Sequence, residues 1–428
     1  MYCVLAPAML SLRARVAAAP LRLSRTALMI VAAAAASTSN AHASMPLSTA
    51  VLTRAQDSFL ASLCGDALSL GGHYEYDAKK IKAMVGRYTD YTAPGQGMGG
   101  ATHGVGWGSH NYHPGKVAGD GTDAGEVAVM LLEYLVQAGG VYSFEGYERY
   151  WREQILEHGY GSCNFQTVGP DGQCPPGTRP GYLNGGTRRT LAALQQYPQA
   201  TGQLRQRLAA NVNCLVAATH FGPLLMVARS EEELVQAAVS TVYLSHCNPD
   251  PVAAAEFLAR ALWRIVHQSM GLEPALLEAA GVMNNAFIHE RLRQARAKVA
   301  EALDPGSALS KEEMCDDLAL TSLARLWDVG KSEPIKVGKA SPTEGALPGA
   351  LYFALKYKDN LEEALIANAG CGGDSAVRGM VIGMLLGAVH GRQALPVRWM
   401  SGLRAAPHVT ELMDRLAGEV TGATREEL

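Results

Sequence analysis

Three short motifs combine glycine with side chains that could do acid–base or metal chemistry. They are G-D-A-L around Asp66, G-D-G-T-D around Thr122 and Asp123, and G-G-D-S around Asp374. Each lies near a boundary between a glycine-containing segment and an apolar, helix-like one. A carboxylate or hydroxyl at a helix start can simply cap the helix. Three such groups brought into one cleft would instead offer the oxygen ligands that Mg²⁺ prefers, so both interpretations stay open.

A glycine-rich stretch over residues 94–125 is the second feature with a functional meaning. It contains eleven glycines, which is too many for a packed helix, so we predict a long loop. Long loops in compact domains are usually functional, and glycine lets the backbone approach a ligand closely. The candidate ligand contacts in this loop are Gly104, Gly106, His113 and Gly119. Neither a phosphate-loop nor a dinucleotide-binding glycine fingerprint occurs in the chain.

The elements that must position these motifs are predicted to be helices. Of 428 residues, 48% are hydrophobic, 18% charged and 7% aromatic, a composition typical of packed helices rather than aromatic, β-branched sheets. The formal net charge of -3 gives no reason to expect a duplex nucleic-acid binder, which needs clustered Lys and Arg. We therefore predict an all-α fold, as a single large many-helix domain over residues 51–428.

Apolar residues recur at helical spacing through most of this domain, and no strand-like alternation continues for more than a few residues. Ser230 with Glu233 forms a capping-box pattern at one predicted helix start. We predict helices at residues 51–70, 123–138, 143–157, 187–197, 203–219, 230–245, 250–269, 274–300, 309–327, 345–357, 360–369, 375–390 and 407–421.

Residues 1–50 differ from the rest of the chain. The first 56 residues hold five Arg and no Asp or Glu, and without them the chain has 32 basic and 40 acidic residues. Such a composition predicts a targeting extension, disordered or cleaved, for a plastid or mitochondrion. An apolar run followed by A-H-A also fits a signal peptide, and hence a secreted or lumenal protein; Met45 as the true start is a further alternative. No other segment approaches the ~18 apolar residues of a membrane span.

Cysteine usage leaves one question open. Four of the eight cysteines, Cys64, Cys214, Cys247 and Cys371, lie in apolar stretches, where a thiol is usually a small buried hydrophobe. No zinc spacing occurs. Cys163 and Cys174 lie in a Gly/Pro-rich segment, residues 159–181, that cannot be helical. They either form a disulfide, if the compartment is oxidising, or remain two free loop thiols.

The acidic motifs together resemble those of the ADP-ribosylglycohydrolase family, an all-α fold whose members remove ADP-ribose using one or two Mg²⁺ ions. The resemblance covers most of residues 57–403. The chain has C-G-D-A-L for the family's G-D-A-x-G, G-T-D for its T-D-D-T, L-S-H for its Thr-His motif and G-G-D for its G-G-D-T-D-T. A late G-A-V-H-G followed by P-V-R-W is also similar. Residues 218–223 match the family's substrate-contacting G-N-G-x-x-M-R segment best by spacing, although residues 184–189 look more like it.

The resemblance implies metal ligands at Thr122, Asp123 and Asp374. The chain departs from the family here, because T-D-D-T has become T-D-A-G and D-T-D-T has become D-S-A-V. Two carboxylates and one hydroxyl suffice for one Mg²⁺ with waters, but not for two ions. We therefore expect at most one Mg²⁺. Asp120 and Glu126 are the residues that could partly replace the missing ligands.

The resemblance also implies catalytic and substrate-contacting residues. Glu75 matches the family's catalytic glutamate two residues later than expected, and Asp66 is the second candidate for orienting water; for Glu75 the alternative is a surface carboxylate. Gly372 and Gly373 join the loop residues as substrate contacts. The implied substrate is an ADP-ribosylated protein or a small ADP-ribose conjugate, cleaved at the glycosidic bond. The competing hypothesis is an inactive nucleotide-binding member, or a structural one similar to the jellyfish lens crystallins of this family.

Overall fold

The computed structural model describes residues 47–94, 111–323, 325–326, 335–336 and 338–421. These residues belong to one compact unit. The predicted targeting extension therefore lies almost wholly outside the described residues, as do Gly104 and Gly106. No helix among the described residues has the length and apolar character needed to cross a membrane.

Helices dominate the described residues, so the all-α prediction is confirmed. The α-helices are α1 (Thr49–Ser69), α2 (Ala78–Val85), α3 (Asp123–Gln137), α4 (Phe144–Leu156), α5 (Gly185–Gln196), α6 (Gly202–Arg207), α7 (Glu231–Val242), α8 (Pro249–Gln268), α9 (Leu272–Met283), α10 (Ala286–Leu303), α11 (Cys315–Ser322), α12 (Thr343–Lys356), α13 (Leu361–Cys371), α14 (Ser375–His390), α15 (Val397–Gly402) and α16 (Ala406–Thr421). Short 3₁₀ turns are Leu70–Gly72, Leu215–Ala218, Gly222–Met226, Leu309–Lys311 and Arg392–Ala394.

Two short ladders accompany the helices. Strands β1 (Tyr160–Cys163) and β2 (Arg179–Pro180) pair in parallel, and β3 (Arg325–Leu326) and β4 (Ile335–Lys336) pair antiparallel. The prediction that residues 159–181 are not helical is therefore confirmed. Cys163 and Cys174 form a disulfide, with their Cα atoms 5.5 Å apart, which answers the question that the sequence left open.

Three predicted helices are wrong in extent. Within residues 309–327 only α11 (Cys315–Ser322) is an α-helix, with a 3₁₀ turn before it and β3 after it. The helix predicted over 274–300 is broken, because Asn284 adopts a left-handed conformation (φ 48°) between α9 and α10. The helix predicted over 203–219 ends at Arg207, since the following segment hydrogen bonds elsewhere: Ala210 pairs with the backbone at His246, and the Leu215 amide donates to the Ser341 carbonyl. Tertiary contacts therefore override local helical preference here.

Helices α1 and α14 form the centre of the core. Both are almost entirely buried, and they run antiparallel, because Gly65 of α1 meets Gly379 of α14 while Ala61 meets Gly383. A Cβ on Gly65 would lie 2.7 Å from the Gly379 carbonyl carbon, so these backbones approach as closely as only glycine allows. The packing places the end of α1 beside the start of α14, and hence Asp66 near Asp374.

Candidate active site

The third motif is a glycine turn that presents Asp374. Gly372 and Gly373 both have positive φ angles, 65° and 69°, which non-glycine residues rarely adopt. The Gly373 amide donates to the Glu75 carbonyl (2.6 Å), and the Asp374 amide donates to the Lys339 carbonyl (2.7 Å). The two glycines, expected from the resemblance to contact substrate, thus fix the backbone on which Asp374 lies.

Arg378 supports this turn from inside the protein. Its guanidinium is fully buried and donates to the Gly372 carbonyl (2.5 Å), the Lys339 carbonyl (3.2 Å) and Asn368 Oδ1 (2.9 Å). Burial lowers the pKa of Arg378. One side chain therefore ties together both backbone segments that hold Asp374.

The first and second motifs meet through Asp66. Its carboxylate accepts hydrogen bonds from the Thr122 amide (2.8 Å) and the Thr122 hydroxyl (2.5 Å), so it fixes the start of α3. A Cβ on Gly121 would lie 2.7 Å from Asp66 Oδ2, and one on Gly125 would also collide with that oxygen. Burial raises the pKa of Asp66 to about 6, against the lowering effect of the Thr122 hydrogen bonds.

Asp123 is the buried carboxylate at the first turn of α3, and the Asn184 amide donates to its Oδ2 (3.1 Å). Burial raises the pKa of Asp123 to about 7. The Asn184 hydrogen bond and the charge of His73 lower this pKa, whereas the charges of Asp374 and Asp66 raise it. The three motifs thus bring their carboxylates close enough to influence one another electrostatically.

His73, for which no role was predicted, lies at the centre of this group. Its Nε2 is 3.0 Å from Asp374 Oδ1 and its Nδ1 is 2.7 Å from His113 Nε2, and all three residues are buried. Burial lowers the pKa of His113 well below its usual range, and the charges of His73 and Lys116 lower it further. The G-G-H-Y-E sequence after α1 was the available signal, but only its glutamate matched the family pattern.

Aromatic rings form one side of the site. The Tyr74 and Tyr112 ring centroids are 5.1 Å apart, Tyr112 and Phe165 are 5.0 Å apart, and His113 and Tyr182 are 5.8 Å apart. Tyr74, Phe165 and Tyr182 are each partly exposed. The aromatic wall, defined by Tyr74, Tyr112, Phe165 and Tyr182, thus offers ring faces next to the buried carboxylates.

Other predicted site residues have structural partners. Glu75 is fully buried, and its carboxylate accepts from Lys80 Nζ (2.7 Å) and the Asp77 amide (3.0 Å) at the start of α2. Gly119 (φ 87°) packs where a Cβ would collide with the Gly402 carbonyl. These two residues therefore contribute to the architecture around the site, and Glu75 is not a surface carboxylate.

Asp120 and Glu126, considered as replacement ligands, are also engaged. Asp120 accepts from the Val117 amide (2.8 Å) and forms an ion pair with Arg404. Glu126 forms an ion pair with Lys116 and accepts from the Tyr160 hydroxyl (2.8 Å).

The segment expected to match G-N-G-x-x-M-R by spacing lies elsewhere. Residues 218–223 are buried in the core, where Gly222 packs against Phe59. Asn184, in the segment set aside as too far upstream, instead reaches Asp123. His246 of the L-S-H motif packs against the same segment, since a Cβ on Gly186 would overlap the imidazole ring of His246. The structure therefore brings Asn184, and not residues 218–223, to the buried carboxylates.

The Mg²⁺ ion that the resemblance implies fits these residues poorly. Among the described residues, no group of three or more His, Cys, Asp or Glu side chains is arranged to hold a metal ion. The Thr122 hydroxyl donates to Asp66, Asp123 accepts from Asn184, and Asp374 Oδ1 faces an imidazole nitrogen. Mg²⁺ requires near-octahedral oxygen coordination, and one oxygen of each of the two carboxylates Asp123 and Asp374 already has a partner on a protein side chain.

The structure defines an all-α domain with buried carboxylates at one end of its central helix pair, and comparison with known proteins gives its family. The ADP-ribosylglycohydrolase family model matches residues 47–426. The chain therefore belongs to the ADP-ribosylglycohydrolase family, which confirms the resemblance noted in its motifs. A solved structure described as an ADP-ribosylglycohydrolase-related protein complex is similar in fold, with a TM-score of 0.54 and 19% identity over 88% of this chain and 100% of that one. No curated protein matches the chain.

Proposed function

We propose that this protein is a hydrolase that cleaves a glycosidic bond to ADP-ribose, in an ADP-ribosylated protein or a small conjugate. The observation that carries the proposal is the meeting of Asp66, Asp123 and Asp374 around His73, beside the aromatic wall. Buried carboxylates with raised pKa values occur more often at functional sites than elsewhere. Family membership supplies the reaction class.

Asp123 is the proposed general base. A base works best with a pKa near the working pH, and burial raises the pKa of Asp123 to about 7. Its ionised oxygen accepts a proton from water, and the water oxygen bonds to the anomeric carbon of the ribose. The bond to the acceptor breaks, and its electron pair goes to the departing nitrogen or oxygen. This atom takes up the proton that Asp123 accepted, which restores the base.

Asp66 has a positioning role in this proposal. Its two hydrogen bonds from Thr122 fix the start of α3 and therefore the place of Asp123. Glu75 likewise holds the start of α2 through Lys80 and Asp77. No step is assigned to Mg²⁺, and the expectation of at most one ion stays a prediction that the titration below tests.

The experiment is release of ADP-ribose from Arg-, Ser- and DNA-linked conjugates. Asp374→Ala is expected to lower turnover at least about 10²-fold, the scale of losing one positioned charged group. Asp359→Ala, which removes an exposed carboxylate paired with Lys358, is the matched control and should leave turnover unchanged. Activity should rise with pH through about 7, as Asp123 ionises.

A non-catalytic role is the second candidate, favoured by the loss of oxygen ligands at Ala124, Ala376 and Val377, all buried. If the wild type binds ADP-ribose but releases none, a nucleotide-binding protein is the better conclusion. If it folds normally and neither binds nor cleaves, a crystallin-like structural role remains.

The compartment is also a proposal. Disulfides are rare where thiols are kept reduced, so the Cys163–Cys174 disulfide supports the secreted or lumenal alternative over a reducing organelle. Alkylation of the protein isolated from its native source, followed by mass spectrometry, tests this: free Cys163 and Cys174 thiols would contradict it.

A further inference from the structure

His73 is held on both edges and on one face. One ring nitrogen contacts Asp374 and the other contacts His113. The Tyr74 ring stacks on the imidazole, with centroids 3.8 Å apart and planes at 20°. The side chains of His73 and Asp374 are 1% and 2% exposed, so the imidazole is fixed where solvent cannot replace it.

Both ring nitrogens of His73 have a hydrogen-bond partner. One of them, Nε2, reaches Asp374 Oδ1 at 3.0 Å. The other ring nitrogen, Nδ1, shares a hydrogen bond with His113 Nε2 at 2.7 Å. Both nitrogens of His73 are in use, which leaves neither lone pair for a metal ion.

The same ring occupies the approach to Oδ1 of Asp374. A Mg²⁺ ion must lie about 2.1 Å from each ligand oxygen, whereas Asp374 Oδ1 already has a hydrogen-bond partner at 3.0 Å. In the rest of the motif, Ala376 and Val377 offer no oxygen side chain and are buried. Ser375 Oγ, which is buried without a hydrogen-bond partner, is the one other side-chain oxygen in the motif, and a single hydroxyl does not supply the coordination that Mg²⁺ requires.

We propose that His73 takes the place at Asp374 that a divalent ion would need, and that ligand binding in this cleft is independent of Mg²⁺. The proposal rests on the proposed function only in using ADP-ribose as the ligand. The titrations with metal ions need neither ADP-ribose nor activity, so their results can be interpreted even if the proposed function is wrong.

The first experiment is titration of the full chain, dialysed against EDTA and then freed of it. Mn²⁺, a paramagnetic substitute for Mg²⁺, should keep the electron paramagnetic resonance spectrum of the free ion, and calorimetry with Mg²⁺ should give no saturable heat up to about 1 mM. Saturable binding of either ion below about 1 mM would overturn the proposal. A second measurement compares ADP-ribose affinity in EDTA and in Mg²⁺; a difference within about twofold is expected, and a tenfold loss in EDTA would also overturn it.

Substitutions of His73 test whether its side chain occupies the place of an ion or only supports the structure. His73→Asp places a carboxylate beside Asp374 and should create a Mn²⁺ site that quenches the free-ion signal. His73→Asn keeps a side-chain donor without adding a carboxylate and should bind no Mn²⁺. If His73→Asp folds, by its melting curve, and binds no Mn²⁺, then His73 does not occupy an ion's place. If His73→Asp fails to fold, His73→Ala is measured in its place, and it too is expected to bind Mn²⁺.

Discussion

Replacing Asp123 with Asn should make the protein more stable, and by an amount that depends on pH. Asn has nearly the same shape and keeps an oxygen that can accept from the Asn184 amide, which Asp123 accepts at 3.1 Å. The substitution therefore removes the ionisable group and little else. Burial raises the pKa of Asp123 from 3.8 to about 7, so the folded protein holds a proton that the unfolded chain releases.

The sign and size follow from this difference. Below about pH 4 both states are protonated and Asp123 contributes nothing. As pH rises from about 4 to about 7, the unfolded state ionises while the folded state does not, so the wild type loses stability; above about 7 the loss is constant. A shift of about three pKa units corresponds to about 4 kcal/mol at most. Asp66, whose pKa is raised in the same direction, is present in both proteins and largely cancels.

The assay is urea unfolding at several pH values, followed by circular dichroism. Asp123→Asn should exceed the wild type by up to about 4 kcal/mol at pH 8, with the gap closing towards pH 4. Asp171→Asn, in an exposed turn, should follow the wild type at every pH. If Asp123→Asn is the less stable protein at pH 8, the ionised carboxylate stabilises the fold, and a bound cation would be the first explanation to test.

Two further predictions concern the fold that holds the site. A Cβ on Gly383 would lie 2.6 Å from Ser62 Cα and collide with the Ala61 carbonyl, so Gly383→Ala should cost about 1–3 kcal/mol in urea unfolding; Gly281→Ala, in a helix with open space around it, should instead gain up to about 1 kcal/mol. The Cys163–Cys174 disulfide closes a short loop, so Cys174→Ser should lose about 2–3 kcal/mol, and reduction with dithiothreitol should lower wild-type stability to the same level without affecting the variant.

The sequence located the three acidic motifs because Gly–Asp pairs at helix boundaries are local patterns. It identified Asp66, Thr122, Asp123 and Asp374 as candidates, and the structure places them around one centre. It gave no role to His73, because an isolated histidine after two glycines has no local signature. Its neighbours Asp374 and His113 are respectively 301 and 40 residues away along the chain.

Sequence alone determined the all-α class and most helix positions, since both follow from composition, apolar periodicity and capping residues, which act within a few residues. Tertiary structure decided which groups contact each carboxylate. Asn184, excluded by its spacing, reaches Asp123 because the chain between them folds back through β1 and β2. The close approach of α1 and α14 sets the distance between the first and third motifs. Hydrogen bonds and desolvation at the site depend on these long-range contacts, and therefore no local pattern encodes them.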